Sequence, residues 1–484
     1  MGKRRGRACH PERSEGADLK EKLRRFASLS VTIILALAAP VSAQAPPPEP
    51  LVLLGVTVVD PVTGTRTANQ RIIIQGNRIV AVGRETRAPA GARVIDARGK
   101  FVIPGLWDMH VHFMNAGVTA LPLLLAHGVT SVREMGGYID STRAWQARMA
   151  AGTLAGPRIK TPGPILESPR YLAGVRQRDS AAGGLLAPRI LPYRIGVADS
   201  AAAERAIDSL VRLGVDFVKI RTAASRTAYL GILNAAGRAG LKVAGHQQSA
   251  ATLAEAVRAG QQDVEHAFYP ALDTLTADLR GALYRELAAA GLWYTPTLVV
   301  SRAVLVSGDS GLRALFGPGA ERRSPEQRYA SPWLLGWWRM QLEERARDTS
   351  SANAAASRRA YASNLQDVRG LQDAGVAILA GTDAGSVLVY PGFSLHEELR
   401  LLVEEATLTP AEALRAATIT PARYFGIEGE LGSISAGKIA DLVLLDANPL
   451  TEIRNSTRIF AVVQGGKLLD RGALDALLAS AVRK

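Results

Sequence analysis

The sequence predicts an α/β protein in which a (β/α)8 TIM barrel is inserted into a small β-sandwich domain built from both termini. Between residues 104 and 427, short apolar runs alternate with helical stretches, which is typical of repeated βα units around a parallel sheet. Runs rich in β-forming residues and divided by turn residues flank this region on both sides. The predicted domains are therefore a barrel at 104–427 and a β domain formed by 51–103 together with 428–484.

The length and composition allow both units. The chain has 484 residues, is 47% hydrophobic and 21% charged, and carries a formal net charge of +14. This is a globular composition with enough residues for one large core and a second, smaller one. The basic residues are scattered and do not form a stripe interleaved with aromatic residues, so we expect no nucleic-acid partner. The expected partner is a small-molecule or peptide substrate, and a homo-oligomer is left open.

The first 43 residues have the layout of a secretory signal peptide. Basic residues at 20–25 precede the apolar stretch 29–39, and residues 41–43 place small side chains at a cleavage site. Residues 1–19 then form a spurious N-terminal extension, and the proline-rich residues 44–50 form a linker. We expect an exported protein, periplasmic or secreted, without stable membrane insertion after cleavage; a retained anchor is the alternative. The single cysteine is lost with this segment, which excludes disulfides and thiolate metal sites.

The β domain is predicted from short β-rich runs at each end of the chain. The N-terminal runs are 51–59, 70–75 and 79–83, and the C-terminal runs are 438–446, 458–463 and 467–469. Turn compositions such as Asp-Pro-Val-Thr-Gly at 60–64 and Gly-Gly at 465–466 divide them. Because no run of this type occurs in between, we expect the two ends to pair into one domain.

The barrel is predicted from eight strand-like runs, each followed by a helical stretch. The runs are 101–112, 128–133, 158–162, 214–220, 241–246, 263–266, 292–296 and 376–383. The amphipathic stretch 201–213 is a predicted helix that leads into the fourth run. The stretch 301–369 is too long for one connection, is helical in composition and contains three tryptophans, so we expect it to cap the barrel mouth. Barrel enzymes place their sites at the C-terminal ends of such strands.

Four histidines lie at predicted strand ends. His110 and His112 are one residue apart on an extended backbone, so their side chains point to the same side and suit one metal ion. His246 and His266 end the fifth and sixth strands. A single histidine at a strand end is more often a hydrogen-bonded structural residue, but this grouping favours metal ligands. His127, at a helix end, is expected to be a C-terminal cap.

Two further strand ends carry charged residues. Lys219 closes the run 215–218, where an ammonium facing a metal would be repelled. It makes sense as a carbamylated lysine that bridges two divalent ions, as a lysine extending to the rim, or as a cation for an anionic substrate; the spacing does not decide. Asp383 stands between glycines that permit close backbone approach. A carboxylate there is a natural proton shuttle beside a metal-bound water, and a helix N-cap is the alternative.

Five motifs occur in a fixed order along the chain. They are Asp-Met-His-Val-His (108–112), Val-Lys-Ile (218–220), Ala-Gly-His (244–246), Val-Glu-His (264–266) and Ala-Gly-Thr-Asp-Ala-Gly (380–385). In this order they resemble the amidohydrolase superfamily of metal-dependent hydrolases. The segments 393–399 and 408–418 look like the imidazolonepropionase-like branch, which includes metal-dependent Xaa-Pro dipeptidases, and 432–443 is similar too.

The resemblance implies a centre of two divalent metal ions, with Zn2+ as the default. It assigns His110, His112 and Asp383 to the more buried ion, His246 and His266 to the other, and carbamylated Lys219 as the bridge. A hydroxide between the ions would attack the substrate carbonyl. Asp383, as the catalytic residue, would move the proton of the hydroxide to the leaving nitrogen.

The substrate is less determined than the metal centre. Tyr269, three residues beyond His266, is placed by the resemblance as a carboxylate-binding residue. Arg221 is expected either to pair with an acidic substrate group or to lie on the surface. His396 either supports the site or starts a helix. The chain departs from the branch at Gln247-Gln248 and at 220–223, which puts the substrate in doubt and leaves the metal ligands intact.

The function hypothesis is an exported binuclear metal-dependent amidohydrolase that cleaves an amide C–N bond in an Xaa-Pro dipeptide or an N-acyl amino acid. An esterase or lactonase with the same metal centre is the alternative. A non-catalytic binding protein is disfavoured because none of the six predicted ligands is missing. Imidazolone-ring hydrolysis is a cytosolic task, and the predicted export argues against it.

Overall fold

A computed structural model describes residues 49–484 except 182–183, 185–186, 269–271, 306–307, 348–350, 483 and 484. The predicted signal peptide, most of the predicted linker and Tyr269 therefore lie outside the described residues. In the described part of the chain no helix is both long enough and apolar enough to cross a membrane.

The strands are numbered in chain order. They are β1 (Leu51–Asp60), β2 (Thr65–Gln75), β3 (Arg78–Gly83), β4 (Arg93–Asp96), β5 (Phe101–Pro104), β6 (Leu106–Val111), β7 (Val129–Glu134), β8 (Arg158–Lys160), β9 (Ile165–Glu167), β10 (Arg194–Gly196), β11 (Val218–Ile220), β12 (Val243–Gly245), β13 (Gln261–Glu265), β14 (Trp293–Thr295), β15 (Ala377–Ile378), β16 (Leu442–Leu445), β17 (Ile459–Gln464) and β18 (Lys467–Leu469).

The helices are referred to by their residues. They are Phe113–Ala116, Ala120–Ala126, Ile139–Ala150, Pro169–Ala181, Ala187–Ile190, Ser200–Arg212, Arg226–Arg238, Leu253–Arg258, Ala277–Ala289, Leu298–Val304, Gly308–Phe316, Ala320–Arg323, Pro332–Arg347, Ser351–Ala374, Phe393–Glu404, Pro410–Ala416, Ile419–Tyr424 and Arg471–Ala481. Short 3-10 turns span Leu191–Tyr193, Leu272–Thr274, Pro325–Tyr329 and Ile453–Thr457.

The β domain is built from both ends of the chain, as predicted. Its sheet has the order β18-β17-β16-β5-β1-β2-β3, with β4 also paired to β1. Strand β5 joins the two ends because it pairs with β1 on one side and with β16 on the other. The sheet curls so that Arg78 in β3 bridges Ile439, just before β16. Buried aliphatic side chains from both ends, such as Leu53 and Leu442, fill its core.

The middle of the chain forms the parallel strands of the barrel domain. Strands β6-β7-β8 make one sheet, and β10-β9-β11-β12-β13-β14-β15 make another. All eight predicted strand regions contain strands, and the pairings within both sheets are parallel. The first strand also contacts the segment after the last, because Met109 N donates to Ala380 O at 2.9 Å and His112 N to Ala384 O at 3.0 Å. The predicted ligands lie in the last residues of these strands or in the segments that follow them, and Asp383 is five residues beyond β15.

Most observed strands are shorter than the predicted runs: the run 214–220 contains only β11 (Val218–Ile220), and the run 376–383 contains only β15 (Ala377–Ile378). Two further runs are divided or end early. The run 101–112 is two strands, because Gly105 separates β5 in the β domain from β6 in the barrel. A side chain could not replace this glycine, since a Cβ atom there would lie 2.1 Å from Thr130 Oγ1. The run 158–162 ends at Lys160, and the chain pairs again only as β9. Pro162 and Pro164 lie in the gap and have no N–H to donate to a ladder.

The long segment before β15 is helical, as predicted, and packs beside the metal-ligand loops. Trp338 is fully buried in the helix Pro332–Arg347 and donates its indole N–H to Gly385 O at 3.2 Å. Its ring also meets Tyr390 edge-on. Gly385 is two residues beyond Asp383, so this helix packs against the loop that contains Asp383, the predicted proton shuttle. At the other end of the chain, the helix Arg471–Ala481 packs on Ala120–Ala126 of the barrel.

Candidate metal centre

Three predicted ligands meet at the C-terminal end of β6. His110 Nε2 and His112 Nε2 lie 3.3 Å apart, as expected for side chains two residues apart in a strand. Asp383 Oδ1 lies 3.1 Å from His112 Nε2 and 3.5 Å from His110 Nε2. The ligand atoms of the three residues are all within 4.8 Å of one another, which suits a single cation.

A second group of ligand atoms shares His110. It contains His110, Glu265 and His266, again with all three atoms within 4.8 Å of one another. The His266 ring lies between two other imidazoles, with its centroid 4.7 Å from that of His110 and 4.9 Å from that of His246. The four predicted histidine ligands therefore form a continuous cluster. His246 itself belongs to neither three-residue group.

Lys219 reaches the cluster but does not bridge it in its unmodified form. Its side chain is 1% exposed, and its Nζ donates a hydrogen bond to Glu265 Oε2. Burial lowers the pKa of Lys219, which the attraction of Glu265 opposes. The amine is thus buried beside the histidines and held by a carboxylate that the sequence analysis did not assign.

The backbone at the site is strained in three places. His266 (φ 65°), Thr297 (φ 46°) and Asp383 (φ 64°) adopt left-handed conformations that non-glycine residues rarely occupy. Such conformations cost about 1–3 kcal/mol each and persist where the surroundings impose them, often at functional sites. At Asp383 a backbone hydrogen bond stabilises the left-handed conformation, because the Asp383 backbone N–H donates to His110 O at 2.7 Å. The predicted helix N-cap alternative for Asp383 is wrong, since the next helix begins at Phe393.

The buried ligands are held in the forms that bind cations. Burial, together with the charge of Lys219, lowers the pKa values of His110 and His246 well below the usual range, so their rings are neutral. Burial raises the pKa of Asp383, but the hydrogen bond and charge of His112 outweigh it, and the net shift is downward. The site therefore presents the neutral imidazoles of His110 and His246 and an ionised Asp383 carboxylate at neutral pH, which are ligands that zinc-like divalent ions prefer.

One buried ligand atom has no partner within the described chain. His110 Nδ1 accepts or donates no hydrogen bond, and its nearest acidic atom is Glu265 Oε2 at 3.5 Å. An unpaired buried polar atom is costly, and a cation held on the Nδ1 side of the ring, beside Glu265, would offset that cost. The donor set and this unpaired nitrogen together fit a divalent metal.

Comparisons with known proteins agree with this geometry. The family described as the amidohydrolase family matches residues 101–469. The chain belongs to the amidohydrolase family. It is a hydrolase that acts on carbon–nitrogen bonds.

Individual relatives of this amidohydrolase are distant but cover most of it. Imidazolonepropionase of Rubrobacter xylanophilus is 26% identical over 445 residues, which is 83% of this chain and 91% of that protein. Among solved structures, a prolidase complexed with N-methylphosphonate-L-proline is 26% identical, with a TM-score of 0.63, and the match covers 87% of this chain and all of that one. Bottromycin amidohydrolase has a TM-score of 0.67 at 24% identity, covering 89% of each chain, and shows the shared fold.

The amidohydrolase centre rests on a buried ionic network that the sequence analysis missed. Arg133 in β7 is fully buried and donates to Asp263 Oδ2 at 2.5 Å, to Glu265 Oε1 at 2.8 Å and to Met109 O at 2.7 Å. Since the side chains of a strand alternate, Asp263 and Glu265 share the face of β13 that points into the barrel. Two acidic residues at period two on a buried strand were the signal that could have revealed this network.

A second missed residue, Asp108, holds the two halves of the first ligand group together. Its carboxyl is fully buried and accepts hydrogen bonds from Thr382 N (3.0 Å), Thr382 Oγ1 (2.7 Å) and His110 N (3.2 Å). Burial raises its pKa to about 7. Because Thr382 precedes Asp383 and Asp108 precedes His110 by two residues, this contact aligns β6 with the loop after β15.

The remaining predicted residues are not members of the two three-residue groups or lie outside the described residues. His127 ends the helix Ala120–Ala126, as predicted. His396 lies in a helix and is buried between Ser456 Oγ and His127 O, each 3.0 Å from one of its ring nitrogens, so it supports packing and not the metal. Arg221 follows β11 and is partly exposed at the rim beside Glu167. Tyr269 falls outside the described residues.

A cavity of about 800 Å³ lies elsewhere, between the barrel and the β domain. It is lined by residues such as Met149, Leu154 and Leu469. One of its charged lining residues, Arg158, is paired with Asp441. This cavity contains none of the predicted ligands, and we assign it no role in the reaction.

Proposed function

We propose that this chain is an exported binuclear amidohydrolase that cleaves an amide bond in an Xaa-Pro dipeptide or an N-acyl amino acid. The observation that carries the proposal is the convergence of His110, His112 and Asp383, with His246 and His266 adjoining them. Family membership supports hydrolysis of a C–N bond. Export rests on the signal-like first 43 residues, which lie outside the described part.

Two divalent ions, with zinc as the first expectation, would be held by these residues. His110, His112 and Asp383 would hold one ion, and His246 with His266 the other. When bound, such ions lower the pKa of water and polarise a carbonyl oxygen. The neutral state of the buried imidazoles supports this assignment, because a protonated ring has no free lone pair.

Carbamylation of Lys219 would complete the centre. The neutral amine nitrogen attacks the carbon of CO2, a new N–C bond forms, one nitrogen-bound proton is released, and the product is a carbamate anion. Burial lowers the pKa of Lys219, which favours the neutral amine that reacts. The modification would replace the cation that now pairs with Glu265 by an anion, which needs metal ions for compensation. Metal binding and carbamylation are therefore expected to support each other.

Asp383 is the residue proposed to move the proton. It is ionised at neutral pH, so it can accept a proton from the attacking water and return it to the leaving nitrogen. His112 Nε2 lies 3.1 Å from its Oδ1, and Ser386 Oγ donates to its Oδ2 at 2.8 Å, so both oxygens are oriented. Its side chain is 15% exposed, which leaves it accessible from the barrel mouth.

The dipeptide substrate class is supported by the structural neighbour described as a prolidase with a proline phosphonate bound. We propose Tyr269 and Arg221 as substrate-binding residues on this basis and on their positions after strands β13 and β11. An N-acyl amino acid shares the same amide bond and free carboxylate. If the protein does not hydrolyse amides, an ester or a lactone is the alternative substrate class.

The test is a substrate screen on purified protein with measured metal content. Xaa-Pro and other dipeptides and N-acyl amino acids are each compared with a matched ester or lactone. We expect about two zinc-like ions per chain and hydrolysis of amides that is abolished by chelation and restored by the metal. Active protein with almost no metal, or turnover of esters without amides, would refute the proposal.

A further inference from the structure

We propose that Arg221 binds the free carboxylate of the substrate, in a subsite assembled from β9, β11 and the loop after β12. This inference rests on the proposed function and narrows its substrate class to amides that bear a carboxylate. The residues that carry it are Arg221, Arg194, Glu167, Tyr171 and Gln248. Gln248 connects this group to the predicted ligand His246, because its side chain donates to His246 O at 2.8 Å.

Arg221 is fixed relative to the predicted ligand His246. It follows Lys219 by two residues, and its backbone N–H donates to Leu166 O at 3.1 Å. The Gln248 side-chain amide donates to Arg221 O at 3.2 Å and to His246 O at 2.8 Å. Gln248 thus ties together the two loops that follow β11 and β12. This also gives a role to one of the two glutamines at which the sequence departs from its branch.

The charges around Arg221 do not balance. Glu167 is fully buried at the end of β9, and its Oε1 accepts a hydrogen bond from Arg194, while its Oε2 accepts one from Thr222 Oγ1 at 2.6 Å. Arg221 Nη1 is 3.6 Å from Glu167 Oε1, which is beyond hydrogen-bond length. Two guanidinium groups therefore share one carboxylate that is already occupied, and one positive charge is left over.

The guanidinium of Arg221 is placed but not satisfied. It lies over the Tyr171 ring, 4.3 Å from the centroid, which restricts its plane. Its Nη1 is enclosed and has no hydrogen-bond partner among the described residues. The side chain is nevertheless 34% exposed, in contrast to 10% for Arg194. The exposed part of the guanidinium likewise makes no hydrogen bond to the described residues, and such an edge can bind a carboxylate with two parallel hydrogen bonds.

Arg194 serves as the internal comparison. It is paired closely with Glu167 and is nearly buried, as a structural arginine should be. Arg221 interacts with Glu167 only at 3.6 Å, so its N–H groups remain available for the carboxylate of a substrate. Glu167 and Arg194 are therefore positioning residues: their mutual pair prevents Glu167 from neutralising Arg221.

The experiment compares matched acids and amides. Alanyl-proline and a series of N-acetyl amino acids are each paired with the corresponding carboxamide, and kcat/KM is measured for every member with the wild type, Arg221→Met and Arg221→Lys. For each hydrolysed pair, the wild type is expected to prefer the acid by about 10- to 100-fold. Arg221→Met should bring this ratio close to one, and Arg221→Lys should keep part of it because it keeps the charge.

Arg194→Met tests the positioning role. Without Arg194, Glu167 is free to pair with Arg221, so KM for the acid should rise with little change for the carboxamide. Arg226→Met is the matched control, because Arg226 lies five residues further on and pairs with Glu255 at the surface. It should leave the acid-to-amide ratio unchanged.

Calorimetric binding of L-proline and L-prolinamide to metal-free protein separates this inference from the proposed function. Binding of proline that is weakened by Arg221→Met supports the subsite even if no amide is hydrolysed. Equal preference of the wild type for acids and carboxamides, together with proline binding that Arg221→Met leaves unchanged, would overturn the subsite while leaving amide hydrolysis intact. Melting temperature and metal content verify that each variant is folded.

Discussion

Thr297 Oγ1 lies 2.7 Å from His266 Nδ1. This contact selects one nitrogen of the imidazole for hydrogen bonding and leaves Nε2 for a cation. Thr297 is held in its left-handed conformation from the other side, because Glu398 accepts hydrogen bonds from the next two backbone N–H groups at 2.9 and 2.7 Å. Glu398, from the helix Phe393–Glu404, thereby orients a candidate ligand that it does not touch.

Replacing Thr297 by valine should weaken metal binding without removing a ligand. The loss of the hydrogen bond frees the His266 ring, and such partners typically contribute about 10- to 100-fold in metal affinity. Competition with a chelator of known affinity measures the change. Thr153→Val, at an exposed threonine that bonds only a local carbonyl, is the control. Equal metal affinity in the wild type and Thr297→Val would argue against this role.

Asp383→Asn should abolish turnover in a folded protein. The amide cannot accept a proton, and general acid–base groups contribute about 10²- to 10⁴-fold to rate. Steady-state kcat and the melting temperature are the two measurements. Ser386→Ala, which removes only the hydrogen bond to Asp383 Oδ2, should have a smaller effect. Substantial activity in Asp383→Asn would exclude this residue as the proton carrier.

Lys219→Ala should lose metal and activity, and short-chain carboxylic acids should restore part of both. The truncation leaves space beside Glu265 in which an added carboxylate can replace the carbamate. Metal content and activity are titrated against acetate or propionate. Lys160→Ala, at a lysine on β8 that pairs with Asp216, controls for nonspecific effects of the acids. Rescue of Lys160→Ala to the same extent, or none in Lys219→Ala, would count against a bridging carbamate.

His396 should make the fold sensitive to acid. Burial lowers its pKa to about 4, whereas an unfolded histidine titrates near about 6.5. Below about pH 6.5 the unfolded chain binds a proton at His396, whereas the folded ring stays neutral until about pH 4. The free energy of unfolding therefore decreases as the pH falls from about 6.5 toward about 4. The contribution between about pH 7.5 and about pH 5 is about 2 kcal/mol in the free energy of unfolding.

Urea unfolding of the wild type and His396→Gln at both pH values measures this term. The glutamine keeps a donor and an acceptor for Ser456 and the His127 carbonyl but does not titrate in this range. The difference in unfolding free energy between the two pH values should be smaller in the variant by about that amount. The same pH dependence in both proteins would assign the acid sensitivity to other groups.

The positions of the metal-ligating side chains could be read from the sequence because each depends on local rules. Period-two alternation places His110 and His112 on one side, and a polar residue at the end of an apolar run marks a barrel rim. The order of the five family motifs along the chain then indicated which strand ends carry metal ligands. The same local rules predicted one strand over 101–112 and did not show that it divides at Gly105. That division depends on a close contact between Gly105 and Thr130, which lies in a different strand.

What supports those ligands was decided by tertiary structure alone. Arg133 meets Asp263 across 130 residues of chain, and Thr382 meets Asp108 across 274. No pattern within a strand specifies such partners, because a buried charge selects whichever opposite charge the folded barrel brings within reach. The sequence by itself determined which polar residues follow the apolar strand runs, since that follows from local periodicity. Only the packed barrel decided that Glu265 holds Lys219 and that Arg221 Nη1 has no hydrogen-bond partner among the described residues. Both depend on which side chains share an interior with few polar alternatives.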